Sequence, residues 1–192
     1  MEKTIFWFKE QWTDKKFRNY TFAAFVSGIG LSVIFSVYSY NMLKIIRYLI
    51  LYAVLFLTAW IDQENKRIPN KILKMLLGIR GILIVLEWRI FPKLGLAVLI
   101  SALLGMLLGG GMFLLAYFIS RGGVGMGDVK LLAVIGTYVG SGSIMSVVFL
   151  AVVTSAFYSI VMLILKKIKL KEEIPFAPFI FIGTVLAMAF GM

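Results

Sequence analysis

Apolar runs of about 18 residues or more recur along this chain, and each can cross a hydrocarbon core roughly 30 Å thick. Backbone in lipid must bond to itself, which runs of this length do as helices. The expected fold is therefore all-α: a polytopic helical membrane protein with six to seven membrane segments, one of them short or re-entrant. Of the 192 residues, 61% are hydrophobic. Residues 1–19 are polar with interleaved aromatics (Phe6, Trp7, Phe8, Trp12, Phe17) and read as an interfacial amphipathic segment. Residues 20–192 read as one integral-membrane domain. The first twenty residues hold no continuous apolar run of signal-peptide length.

The spans are expected at about 20–40, 45–61, 72–90, 94–120, 144–165 and 174–192. A shorter apolar piece lies at 129–138, with a tight turn at Gly140-Ser141-Gly142-Ser143 after it. Pro69 stands just before the third span, a favoured place for proline. Gly105 and Gly109 to Gly111 read as sites of close helix packing.

The net charge of +11 is distributed by loop. With the N-terminus inside, the inner side holds residues such as Lys15, Arg18, Lys66, Arg67, Lys71, Arg121, Lys130 and Lys166. The outer side holds only Lys44, Arg47, Arg89 and Lys93. This asymmetry places the N-terminus in the cytoplasm of a multi-pass protein. No basic surface with interleaved aromatics stands outside the membrane segments, so no nucleic-acid partner is expected; the partner is the lipid bilayer.

Against this background two aspartates stand out. Asp62 lies in Asp62-Gln63-Glu64-Asn65-Lys66-Arg67-Ile68-Pro69-Asn70, and Asp128 in Gly125-Met126-Gly127-Asp128-Val129-Lys130. The third aspartate, Asp14, sits in the polar N-terminal segment. Ionisable groups near membrane depth are costly and are functional candidates by default. The chain has neither cysteine nor histidine. Thiol catalysis, a histidine triad and a Cys- or His-ligated metal site are thereby excluded. No metal or cofactor is expected. The acid–base set that remains is Asp, Glu, Lys and Tyr, and within it the two carboxylates suggest acid–base hydrolysis of a peptide bond by an aspartate pair.

Each residue also has a plainer reading. Asp128 can act as an N-cap. Asp62 can mark the interface with Arg67 as its ion-pair partner. Lys130 either tunes Asp128 or holds a substrate carbonyl, or it anchors the loop on the positive side. Arg67 and Asn70 either orient Asp62 or cap the third span. Glu64, Glu172 and Glu173 either meet a basic ligand or are solvated loop charges. The topology places both aspartates at the cytoplasmic ends of spans, within reach of water.

In combination, Asp62 with Lys66-Arg67-Ile68-Pro69-Asn70 and Gly125-x-Gly127-Asp128-Val129-Lys130-Leu131 resemble the bacterial type IV prepilin peptidases, which are GxGD-type aspartic proteases. The resemblance spans about Asp62 to Gly183 and includes Ile174-Pro175-Phe176-Ala177-Pro178-Phe179. It implies that Asp62 and Asp128 are the catalytic pair, with Gly125, Gly127, Lys130, Arg67, Pro69, Asn70 and Glu64 as surrounding motif residues. It also implies prepilin or pseudopilin precursors as substrates, cleaved after a short basic leader at the bacterial cytoplasmic membrane. Many members carry a zinc-binding cysteine tetrad and N-methylate the product. This chain resembles the compact members without it, so N-methyltransferase activity is not carried over. Two other classes fit an acidic pair in a membrane: a proton- or cation-coupled transporter, and an inactive pilus or secretion assembly subunit. Against transport, no inverted repeat is visible and both acids lie at one face.

Overall fold

The structure is a computed structural model that describes residues 15–120, 123–167 and 174–191. Among the described residues all regular structure is helical: α1 (Lys15–Val37), α2 (Met42–Asn65), α3 (Asn70–Ile90), α4 (Pro92–Ile119), α5 (Met126–Val139), α6 (Ser141–Ile164) and α7 (Ala177–Ala189). The protein is a multi-pass membrane protein. Four helices, α1 from Phe17 onward, α2, α4 and α6, are long and apolar enough to cross a bilayer. The interfacial reading of residues 1–19 falls, for its first fourteen residues, outside those described; from Lys15 the chain is already in α1.

The chain divides into two compact units, Met1–Ser39 and Tyr40–Met192. The first holds α1. The second holds the other six helices and is built on small residues. Gly105 of α4 and Gly136 of α5 face each other so closely that a Cβ on either would land on the other's carbonyl oxygen. Gly109 and Gly110 continue that seam against Leu132, Ile144 and Ala133. Gly183 of α7 does the same against the backbone of Val147 and Ala151 in α6. Close packing at Gly105, Gly109 and Gly110 is thus observed, while Gly111 has no neighbour within 4 Å of where its Cβ would stand. The opposite faces are apolar and exposed, at Leu96, Ile100, Leu103 and Leu107 of α4 and at Phe149, Val153, Phe157 and Ile160 of α6. Spacings of three and four residues put each set on one helix face, the face a lipid environment covers.

The short helix α5 has 14 residues and is roughly 21 Å long, too short to cross. Leu131, Leu132, Val134, Ile135, Tyr138 and Val139 are all buried, so it is apolar around its circumference, as an encased helix is. It packs against α2, α3, α4 and α6. The expected turn over residues 140–143 is shorter than the Gly-Ser run implies. Gly140 alone, at φ 83°, ends α5 and begins α6. That left-handed φ favours glycine, and a Cβ there would also strike Ser101 Oγ.

Candidate active site

The inward stripe of α2 runs through Tyr48, Leu51, Tyr52, Leu55, Ala59 and Asp62, all buried and three or four residues apart. Asp62 therefore stands where helical periodicity places a core side chain, and it is only 5% exposed. One turn on, Lys66 adopts a left-handed φ of 50° and its N–H donates to the Asp62 carbonyl at 2.8 Å, closing the helix. Pro69 then caps α3, as its position in the sequence foretold.

The Asp62 carboxylate is seated on another helix terminus. The Ala177 N–H, first residue of α7, donates to Asp62 Oδ2 at 3.1 Å, and the Phe176 N–H adds a second backbone donor. Free amides and the positive dipole end of a helix suit a carboxylate. Phe176 is fixed in turn by rings on either side. It stacks on Phe113 of α4 at 5.5 Å and lies 6.4 Å from Phe179, which meets Tyr158 of α6 at 5.2 Å.

Asp128 enters from the first turn of α5. Its N-cap is Gly125, not Asp128, so the capping reading is set aside. The two glycines before it have separate tasks. A Cβ on Gly125 would sit 2.8 Å from Asp128 Oδ2, so glycine leaves room for the carboxylate to fold back over the loop. A Cβ on Gly127 would press to 3.3 Å of the Ile68 side chain, so glycine lets α5 approach the α2–α3 turn. That approach brings Asp128 into the field of Asp62. Burial first, and then the Asp62 carboxylate, push the half-buried Asp128 carboxyl up to about 7. Among the described residues no donor hydrogen-bonds to it.

The remaining motif residues sit at the same end of the bundle. Lys130 Nζ reaches Asn70 Oδ1 at 3.4 Å, a long and exposed contact joining α5 to α3. Asn70 is the first helical residue of α3, and Pro69 provides no side-chain cap. Arg67 and Glu64 are exposed. Among the described residues Arg67 forms no ion pair with Asp62, so the interface-pair reading of Asp62 loses its partner. Glu172 and Glu173 lie outside the described residues. Sequence reasoning missed the Ala177 amide as a partner of Asp62; the Pro-Phe-Ala-Pro stretch was its signal. It also counted Arg47 as a loop charge, whereas Arg47 lies within α2 and bonds Glu87 Oε1 at 3.0 Å.

Residues 49–160, which contain both Asp62 and Asp128, match the Type IV leader peptidase family. The chain belongs to that family. Two relatives named prepilin leader peptidase/N-methyltransferase are similar to it. The one from Bacillus subtilis (strain 168) is 37% identical over 73 residues, covering 38% of this chain and 29% of the relative. The one from Burkholderia pseudomallei (strain 1026b) is 32% identical over 141 residues, covering 72% of this chain and 44% of the relative. The chain thus spans less than half the length of either. No solved structure matches it.

Proposed function

We propose that this protein is a membrane aspartic endopeptidase that removes the short basic leader from prepilin-like precursors, with Asp62 and Asp128 as its catalytic pair. The carrying observation is the convergence of these two carboxylates from α2 and α5, one seated on backbone amides and the other within its field. Family membership over residues 49–160 supports the same reading.

Two neighbouring carboxylates do not both ionise readily, so the pair holds one proton between them. Oδ2 of Asp62 already accepts an amide hydrogen, which makes Asp128 the better seat for that proton. In the proposed reaction the ionised carboxylate takes a proton from water as the water oxygen attacks the scissile carbonyl. The protonated carboxyl gives its proton to the carbonyl oxygen. Collapse of the tetrahedral intermediate breaks the C–N bond, and the amine leaves with a proton returned from the pair. Lys130 and Asn70 flank this site as positioning residues, and Glu64 and Arg67 face the water from which a charged leader arrives. Cleavage alone is proposed, on the cytoplasmic side of a bacterial membrane. The loop charges support that orientation.

The test is cleavage of a precursor carrying a basic leader, a glycine at the cut and an apolar helix, by the purified full chain in liposomes. Product from wild type and from neither Asp62→Asn nor Asp128→Asn is the expected result. Product from either variant overturns the pair, and no product from a panel of such precursors by folded protein overturns the peptidase reading.

A further inference from the structure

A second polar centre lies at the end of the bundle away from the aspartates. On α2, Arg47 precedes Asp62 by fifteen residues, or roughly 22 Å of helix. On α5, Thr137 and Tyr138 lie at the end opposite Asp128. Glu87 of α3 binds two guanidinium groups, Arg47 at 3.0 Å and Arg80 at 2.9 Å. Arg80 is 2% exposed and its Nε also donates to the Thr137 carbonyl at 2.7 Å. The Tyr138 hydroxyl returns a bond to the Leu76 carbonyl at 2.7 Å, so α3 and α5 are clasped in both directions.

Two features go beyond a clasp. The charges do not balance, since one carboxylate faces two guanidiniums, and Lys44 stands one turn before Arg47. Arg47 Nε is buried without a hydrogen-bond partner among the described residues. Leaving such a donor unmet is costly, and a charged one more so. Beside these groups is a cavity of about 270 Å³, lined by Arg47, Arg80, Ser101, Thr137, Tyr138 and Gly140 on its polar side. That is far more than one water occupies, roughly 30 Å³. The N-terminus of α6 begins directly after Gly140 and adds positive potential.

We propose that this cavity, lined by both arginines, binds a phosphate monoanion, which balances the surplus guanidinium. The rest of the lining favours a phospholipid headgroup as its source. Leu94, Ala97 and Val98 of α4 form the apolar wall, and Leu94 is exposed in line with the lipid-facing Ile100 and Leu103. An acyl chain can follow that face while its phosphate sits between the arginines.

The experiment uses the full chain in a neutral detergent and reads lipid retention by native mass spectrometry and the apparent Tm. Phosphatidylglycerol is compared with phosphatidylcholine, and inorganic phosphate with chloride at matched ionic strength. Wild type is expected to retain phosphatidylglycerol and to gain about 5 °C at saturation. Arg47→Gln removes one of the two guanidinium charges that line the cavity and should weaken retention roughly tenfold. Ala97→Phe leaves every charge in place but narrows the cavity, and should also lose the effect, which keeps the test valid if Arg47→Gln does not fold. A response to inorganic phosphate alone supports the anion site and assigns it a soluble source. Equal retention of both lipids with no phosphate response, or a wild-type response in both variants, overturns the proposal.

Discussion

Asp62 Oδ2 accepts a hydrogen bond from the Ala177 N–H at 3.1 Å, joining the end of one helix to the start of another 115 residues later. Motifs that a sequence holds far apart are here parts of one carboxylate site, and the consequences can be measured.

Replacing either aspartate with asparagine keeps side-chain volume and removes the acid–base function. Each variant should insert and purify as wild type does. Each should lose cleavage by at least roughly a hundredfold, the scale of general acid–base catalysis. Single-turnover cleavage of a leader-bearing precursor measures it.

Asp128 also makes the protein pH-sensitive. Its carboxyl is pushed up to about 7 in the folded state, while an unfolded aspartate titrates near 3.9. Between about pH 4 and pH 7 the folded protein holds a proton that the unfolded chain has released. Stability therefore falls as pH rises through that window. The apparent Tm should drop between about pH 4 and pH 7, and Asp128→Asn should flatten that drop. Cleavage should decline on the alkaline side of about pH 7 as the proton donor is lost.

Gly125→Ala should separate activity from stability. Its backbone, at φ −68°, accepts alanine without strain, but the new methyl group meets the Asp128 carboxylate at 2.8 Å. The carboxylate can swing away at little cost to the fold. An unchanged Tm beside a strongly reduced kcat is the expected pair of readings, and a wild-type rate would remove the role assigned to this glycine.

Gly136→Ala should act on the fold itself. Its methyl group meets the Gly105 backbone, which has no side chain to move aside, and overpacking of this kind costs about 1–3 kcal/mol. Gly78→Ala in α3, with nothing within 4 Å, should be neutral or raise stability by about 0.5–1 kcal/mol. Thermal unfolding in detergent distinguishes the two.

Much of this was legible in the chain. The helices begin and end close to where the apolar runs do, because lipid demands an uninterrupted apolar length. Asp62 and Asp128 were legible because carboxylates are scarce in such a chain. The seat of Asp62 on α7 was not, since a bond across 115 residues leaves no local pattern beyond the Pro-Phe-Ala-Pro stretch. The Arg47–Glu87–Arg80 centre was overlooked for a nearer reason. The second span was expected to begin near Ile45, which left Arg47 close to a loop. Asn41, whose side chain accepts from the Lys44 N–H at 2.8 Å, starts the helix at Met42 and draws Arg47 inside. Arg80 and Glu87, seven residues apart on one face of an apolar helix, were the other signal.

The meeting of Gly105 with Gly136 leaves the main chains of α4 and α5 without a cushion between them. Elsewhere in a core a bulky substitution is relieved when a neighbour becomes smaller. At this seam no smaller neighbour exists, so second-site suppressors of Gly136→Ala have nothing to trim. The register of α5, and with it the height at which Asp128 stands beside Asp62, is set by backbone against backbone and has little freedom to drift.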